Sequence, residues 1–126
     1  MQIRSAKELT VYKKAYQLAM MVYQMSNNFP VEERYALTSQ IRRSSRSVCL
    51  NLREAWAKRR YEAHFISKLT DCDGENSETD SSLNFAFDCG YITETEYIKT
   101  TQLCEEIWKM LGRMITEPGG FLTSVR

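Results

Sequence analysis

The sequence predicts an all-α fold, a single antiparallel up-down-up-down four-helix bundle. Three observations predict it. Apolar residues recur three and four positions apart along four stretches, the signature of helices with one buried face. Only two prolines and five glycines interrupt 126 residues. The connections between the stretches are short, and short links force consecutive helices to lie antiparallel. One domain over residues 1–117 follows, with helices at about 6–27, 32–57, 61–88 and 94–116, and a flexible tail over 118–126.

The first helix opens at Ser5-x-x-Glu8, a capping-box pattern in which hydroxyl and carboxylate satisfy free backbone N–H groups. It carries two apolar rows, Leu9–Tyr12–Tyr16–Ala19–Tyr23 and Val11–Ala15–Leu18–Val22–Met25. Two rows make a face wider than one bundle core requires, which predicts a second buried surface and hence an oligomer. Pro30 ends the first helix and suits the first turn of the next. The second helix presents Leu37, Ile41, Val48, Leu52 and Ala55 on one side. The third carries Phe65, Leu69, Cys72, Leu83 and Phe87 and stops where Gly90 can take a left-handed closing conformation. Gly74, Asn76 and Thr79 are unusual in a core helix and predict a close helix approach or a polar patch in the interface. The fourth helix starts at the capping box Thr93-x-x-Glu96, flanked by Ile92 and Tyr97, and its stripe reads Tyr97, Thr101, Cys104, Trp108, Leu111 and Ile115.

Composition excludes several classes. No apolar run approaches the ~20 residues needed to span a bilayer. The stretch MQIRSAKELT lacks the apolar core of a secretion signal, so a cytoplasmic setting is expected. Cys49, Cys72, Cys89 and Cys104 are scattered without a CxxC pair, and are expected to be reduced, packed thiols. With His64 as the one histidine, no zinc site and no catalytic base with a partner is evident. Asp71-x-Asp73 begins like a calcium loop, but the positions that require Gly and Glu hold Asn76 and Ser82. No phosphate-binding glycine loop, nucleophile elbow or HExxH is present. The chain therefore reads as no enzyme, with no cofactor, no metal and no small-molecule substrate. The seven tyrosines and Trp56 are expected to fill the core more than to stack bases.

Charge carries the functional signal. Between Arg34 and Lys68 nine Lys or Arg stand against two acids, a balance of +7, and between Leu69 and Glu106 the balance is −9. On a helical projection Arg42, Arg46, Arg53 and Arg60 fall within an arc of roughly 40°, about 130° from the core stripe. They make a ridge about 27 Å long, and Arg43, Lys58 and Arg59 add to it. Such a row suits phosphates of a nucleic-acid backbone without reading bases. It equally suits ion pairing. If the second and third helices turn near Arg59, Arg46 falls level with Asp73 and Arg42 level with Ser77, beside Glu75 and Glu78. The same arginines would then hold subunit contacts in a protein–protein scaffold.

The stretches LTVYKKAYQLAMMVY and FPVEERYALTSQIRRSSRSVCLNLREA carry a family likeness. They resemble the four-helix-bundle proteins encoded within intervening sequences of bacterial 23S ribosomal RNA genes, with "ERYALTSQIRR" the most specific part. Gly74, Glu78, Leu83, Gly90 and Tyr91 extend the likeness, which covers about residues 8–115. The resemblance implies a homopentameric ring of bundles and relatedness to the nucleic-acid-binding accessory proteins of diversity-generating retroelements. Arg53, Ala55, Asn76 and Thr79 depart from the pattern, standing where Ala, Gly and two leucines are usual. The expected function is that of a non-enzymatic, sequence-nonspecific accessory protein binding RNA or RNA/DNA.

Overall fold

A computed structural model describes residues 3–123. Four long helices dominate: α1 (Thr10–Ser26), α2 (Leu37–Ala57), α3 (Glu62–Asp88) and α4 (Glu94–Thr116). Short 3₁₀ turns lie at Ala6–Glu8, Val31–Glu33 and Pro118–Phe121, and the described residues contain no strand. Each of α1 and α3 packs on both α2 and α4, enclosing one core.

Two helices start later than their periodicity predicts. Ser5 accepts from the Lys7 amide and Glu8 from the Arg4 amide, so the expected cap closes a single 3₁₀ turn. Leu9 is then extended, which buries its side chain and that of Ala6, and α1 begins at Thr10. The second helix was expected from about residue 32. Pro30 is extended and caps the turn Val31–Glu33, Ala36 leaves helical geometry, and α2 begins only at Leu37. Glu33 holds this arrangement by accepting from the Leu37 amide at 3.4 Å and the Tyr91 hydroxyl at 2.9 Å.

The other boundaries follow their local chemistry. Gly90 has φ 78°, and the amides of Gly90 and Tyr91 return to the carbonyls of Phe87 and Ala86, which closes α3. Thr93 and Glu96 form a complete capping box at α4, with bonds of 3.1 and 2.9 Å. Replacing Thr93 with alanine leaves an N–H of the first turn unsatisfied, so a loss of about 1 kcal/mol is expected in a urea unfolding curve.

Hydrogen bonds set the register. Arg43 meets Glu78, Val48 meets Cys72 and Asn51 meets Lys68, so rising numbers in α2 oppose falling numbers in α3. Asn84 meets Tyr97 and Asn76 meets Cys104 in the same manner between α3 and α4.

The core uses the second apolar row of α1, while Tyr16 (54% exposed) and Tyr23 of the first row face outward. Of the seven tyrosines expected to fill the core, Tyr12, Tyr91 and Tyr97 are half-buried against it, Tyr16, Tyr23, Tyr35 and Tyr61 are exposed, and Trp56 is buried. The α4 face is also rotated from the predicted stripe. Thr100, Leu103, Ile107 and Met114 join Cys104 and Leu111 inside, and Trp108 is 56% exposed. Gly74 is exposed and a Cβ there would meet nothing, so no close helix approach explains it. Asn76 and Thr79 do form a buried polar patch. Thr79 shares a 2.8 Å hydrogen bond with Ser44, and Asn76 donates to the Cys104 carbonyl at 2.9 Å.

The expected flexible tail over 118–126 is partly packed. Phe121 and Leu122 are half-buried against the core, and the Phe121 ring lies 6.4 Å from Phe65; residues 124–126 of that tail lie outside the described residues.

All four cysteines are free; Cys49, Cys72 and Cys104 are buried and Cys89 is exposed. Burial pushes the Cys49 thiol up to about 11 and those of Cys72 and Cys104 up to about 12. Thiolate is the reactive species. Iodoacetamide under native conditions is therefore expected to label Cys89 and spare the other three until the chain is unfolded. Mass spectrometry of the labelled peptides checks it.

Candidate functional site

The basic residues of α2 divide into groups that the helical projection did not separate. Arg43 points toward α3, where one guanidinium bridges Glu75 and Glu78 at 3.1 Å each. The hydrogen bonds it donates to Glu78 and then Glu75 raise its pKa further above the ordinary arginine value. Glu75 is pushed up rather than down, because burial and the neighbouring Glu78 outweigh the arginine. Geometry decides between these opposing signs: two carboxylates share one cation on a half-exposed surface, an arrangement that adds little stability. The expected alignment of Arg42 with these acids is off by one position, which turns a side chain by ~100° on a helix.

Arg42 reaches α1 instead. Its Nε donates to the Ser26 hydroxyl at 2.7 Å and its Nη2 to the Asn27 side-chain oxygen at 3.1 Å. Its guanidinium carbon lies 5.1 Å from the centre of the Tyr23 ring, and that of Arg46 lies 5.8 Å from the same ring. Two cations thus share one exposed aromatic ring. Arg46 does not meet Asp73. Among the described residues no carboxylate pairs with Arg42, Arg46, Arg53, Lys58, Arg59 or Arg60.

Arg53 is exposed on α2, whose last residue is Ala57. Lys58 and Arg60 are exposed in the turn that follows, so Arg60 does not continue the helical row as the projection assumed. Arg59 lies on Trp56, 4.1 Å from the ring centre, and donates to the Trp56 carbonyl at 2.8 Å.

A shallow groove of ≈ 610 Å³ runs along the first half of α2, lined by Arg34, Tyr35, Thr38, Ser39, Arg42, Arg43, Arg46, Ser47 and Leu50. No acid lines it. Arg34, Tyr35 and Tyr23 were not among the residues singled out as candidates. The signal for Tyr23 was present in the outer apolar row of α1, but its pairing with α2 depends on how the two helices meet. Arg34 and Tyr35 precede α2 and lie outside any periodic pattern. No group of His, Cys, Asp or Glu among the described residues could hold a metal ion, and no helix is long and apolar enough to cross a membrane.

Residues 7–113 match the sequence profile of a family described as 23S rRNA-intervening sequence protein. The chain is also similar to a crystal structure from Bacteroides thetaiotaomicron VPI-5482, that of a protein with unknown function from the S23 ribosomal protein family. The two are 30% identical over 84% of this chain and 98% of that one, with a TM-score of 0.75. No curated protein matches the chain.

Proposed function

The chain belongs to the 23S rRNA-intervening sequence protein family, and on that basis we propose that it is a non-enzymatic accessory protein that grips an RNA backbone through α2. One observation carries the reading: Arg42 and Arg46 converge on exposed Tyr23 with no carboxylate pairing with either among the described residues. Guanidinium groups held beside an aromatic ring present N–H forks to phosphate and a flat surface to an unstacked base. Arg53, Lys58 and Arg60 extend the contact along the helix and around its end. Arg43 joins by exchanging Glu75 and Glu78 for phosphate, and Arg59 by leaving Trp56.

Up-down-up-down packing and assembly of five copies into a ring belong to the same proposal, as does a cytoplasmic setting. A ring multiplies a weak grip, because the second and later contacts are intramolecular. Relatedness to accessory proteins of diversity-generating retroelements is part of the same proposal, with RNA or an RNA/DNA duplex as the partner.

The experiment is a titration of a fluorescent single-stranded RNA, read by anisotropy from 50 to 300 mM salt. Binding that weakens steeply and log-linearly with salt is expected, since each neutralised phosphate releases counterions. Absence of binding at 50 mM salt refutes the proposal. A second reading, a protein scaffold in which these arginines join subunits, is favoured by the exposed Tyr16, Met20, Phe85, Ile98 and Trp108. Charge reversal at Arg46 would then dissociate the assembly in ultracentrifugation.

A further inference from the structure

The seam between α3 and α4 opens into a groove of ≈ 900 Å³ whose floor includes Asn76 and Asp80 and whose rim includes Tyr97, Glu105 and Trp108. The amide of Asn76 is oriented by its bond to the Cys104 carbonyl at 2.9 Å. Its Oδ1 is left buried with no hydrogen-bond partner among the described residues, in a side chain only 2% exposed. An unsatisfied buried acceptor costs about 1–3 kcal/mol. One turn away on the same face of α3, Asp73 buries an oxygen that also lacks a partner among the described residues. Asp80 continues the row one turn in the other direction, and its charge acts on the same Cys104.

These groups are acceptors, and they need donors. Among the described residues no Lys or Arg lines the groove, and Lys109 on α4 pairs with its rim residue Glu105 at 3.3 Å. Exposed Trp108 adds an aromatic face at the rim, suited to a cation or to methylene groups. From Asn76 to Asp80 the row spans about 6 Å along the helix.

We propose that the α3–α4 groove binds a linear aliphatic polyamine, its ammonium groups donating to Asn76 Oδ1 and to the carboxylate of Asp80 while Trp108 covers the chain beside them. Several N–H donors on a narrow, extended cation match a row of acceptors inside a seam. A hydrated divalent ion matches it poorly, because it demands a compact octahedron of oxygens. The inference is independent of the arginine face on α2 and stands or falls separately.

The test is calorimetric titration of the full chain with spermidine at low salt. Saturable binding is expected. Asn76→Leu and Asp80→Asn should each weaken it about tenfold, the loss that follows from one charge-assisted hydrogen bond. Circular dichroism checks folding of each variant. Burial already raises the Asp80 carboxyl, so removing its charge is not expected to weaken the fold at neutral pH. Alanine at Arg42 and Arg46 should leave spermidine binding unchanged.

Three results would overturn the idea. One is equal affinity in the Asn76→Leu and Asp80→Asn variants. Another is competition by magnesium at matched ionic strength as effective as that by a second polyamine, which marks a diffuse counterion effect. The third is binding of a short lysine peptide without binding of spermidine, which assigns the groove to a protein side chain.

Discussion

Alanine at Arg42, Arg46 and Arg53 together is expected to lower RNA affinity about 100-fold at 50 mM salt, from roughly 1 kcal/mol for each lost phosphate contact. The slope of log affinity against log salt should become shallower by about 2 per protomer, since single strands release about 0.7 counterion for each phosphate freed. Arg46 and Arg53 are exposed, so their loss should leave the fold intact, while loss of the Arg42 bonds to Ser26 and Asn27 should lower stability slightly, which circular dichroism of the variant checks. Lysine at the same three positions keeps the charge but loses the planar fork over Tyr23, so it should restore the salt slope and only part of the affinity. Affinity of the triple alanine variant equal to that of the parent would refute phosphate contact by this face. Anisotropy with one RNA across four salt concentrations separates these outcomes.

Phe65→Ala is expected to cost about 3–5 kcal/mol, the usual range for emptying a buried aromatic site. Phe65, in the first turn of α3, is the largest of the side chains that are fully buried in the core. Net stabilities of such domains are about 5–15 kcal/mol, so the variant should melt ~10 °C or more below the parent. The same change removes the ring against which Phe121 rests. Protease cleavage after α4 should therefore rise alongside the drop in melting temperature. Phe121→Ala, at a half-buried position, should reproduce the protease sensitivity with a much smaller thermal shift. A melting temperature unchanged by Phe65→Ala would contradict the burial described for α3.

The long helices were legible because their apolar periods are strong and their caps are local. Thr93 with Glu96, and Gly90 with its positive φ, are signals contained within a few residues. The late start of α2 was not legible, because the tie that sets it reaches from Glu33 to Tyr91, far along the chain. The rotated face of α4 had a different cause. Thr100 looks polar in sequence, yet its hydroxyl returns to its own helix at the Glu96 carbonyl, which lets it be buried.

The candidate site was legible as a concentration of arginines but not as a surface. A one-position offset decides whether a side chain meets α1 or α3, so Arg42 and Arg43 have opposite roles despite being neighbours. Arg60 escaped the projection because the helix ends three residues before it. Tyr23 joins the site only through packing between helices, which no periodicity in either helix encodes.

The hydroxyl contact between Ser44 and Thr79 has a consequence for how the chain avoids wrong pairings. Greasy side chains at a helix seam tolerate sliding, since one leucine fits nearly as well as the next. Shifting α3 by a single turn against α2 would break the 2.8 Å contact and leave each hydroxyl only the bond to its own helix, at Ile41 and Glu75, at a cost of about 0.5–1.5 kcal/mol. The pair thus acts as an alignment key: it adds little to the depth of the native well but raises the nearest competing wells on either side.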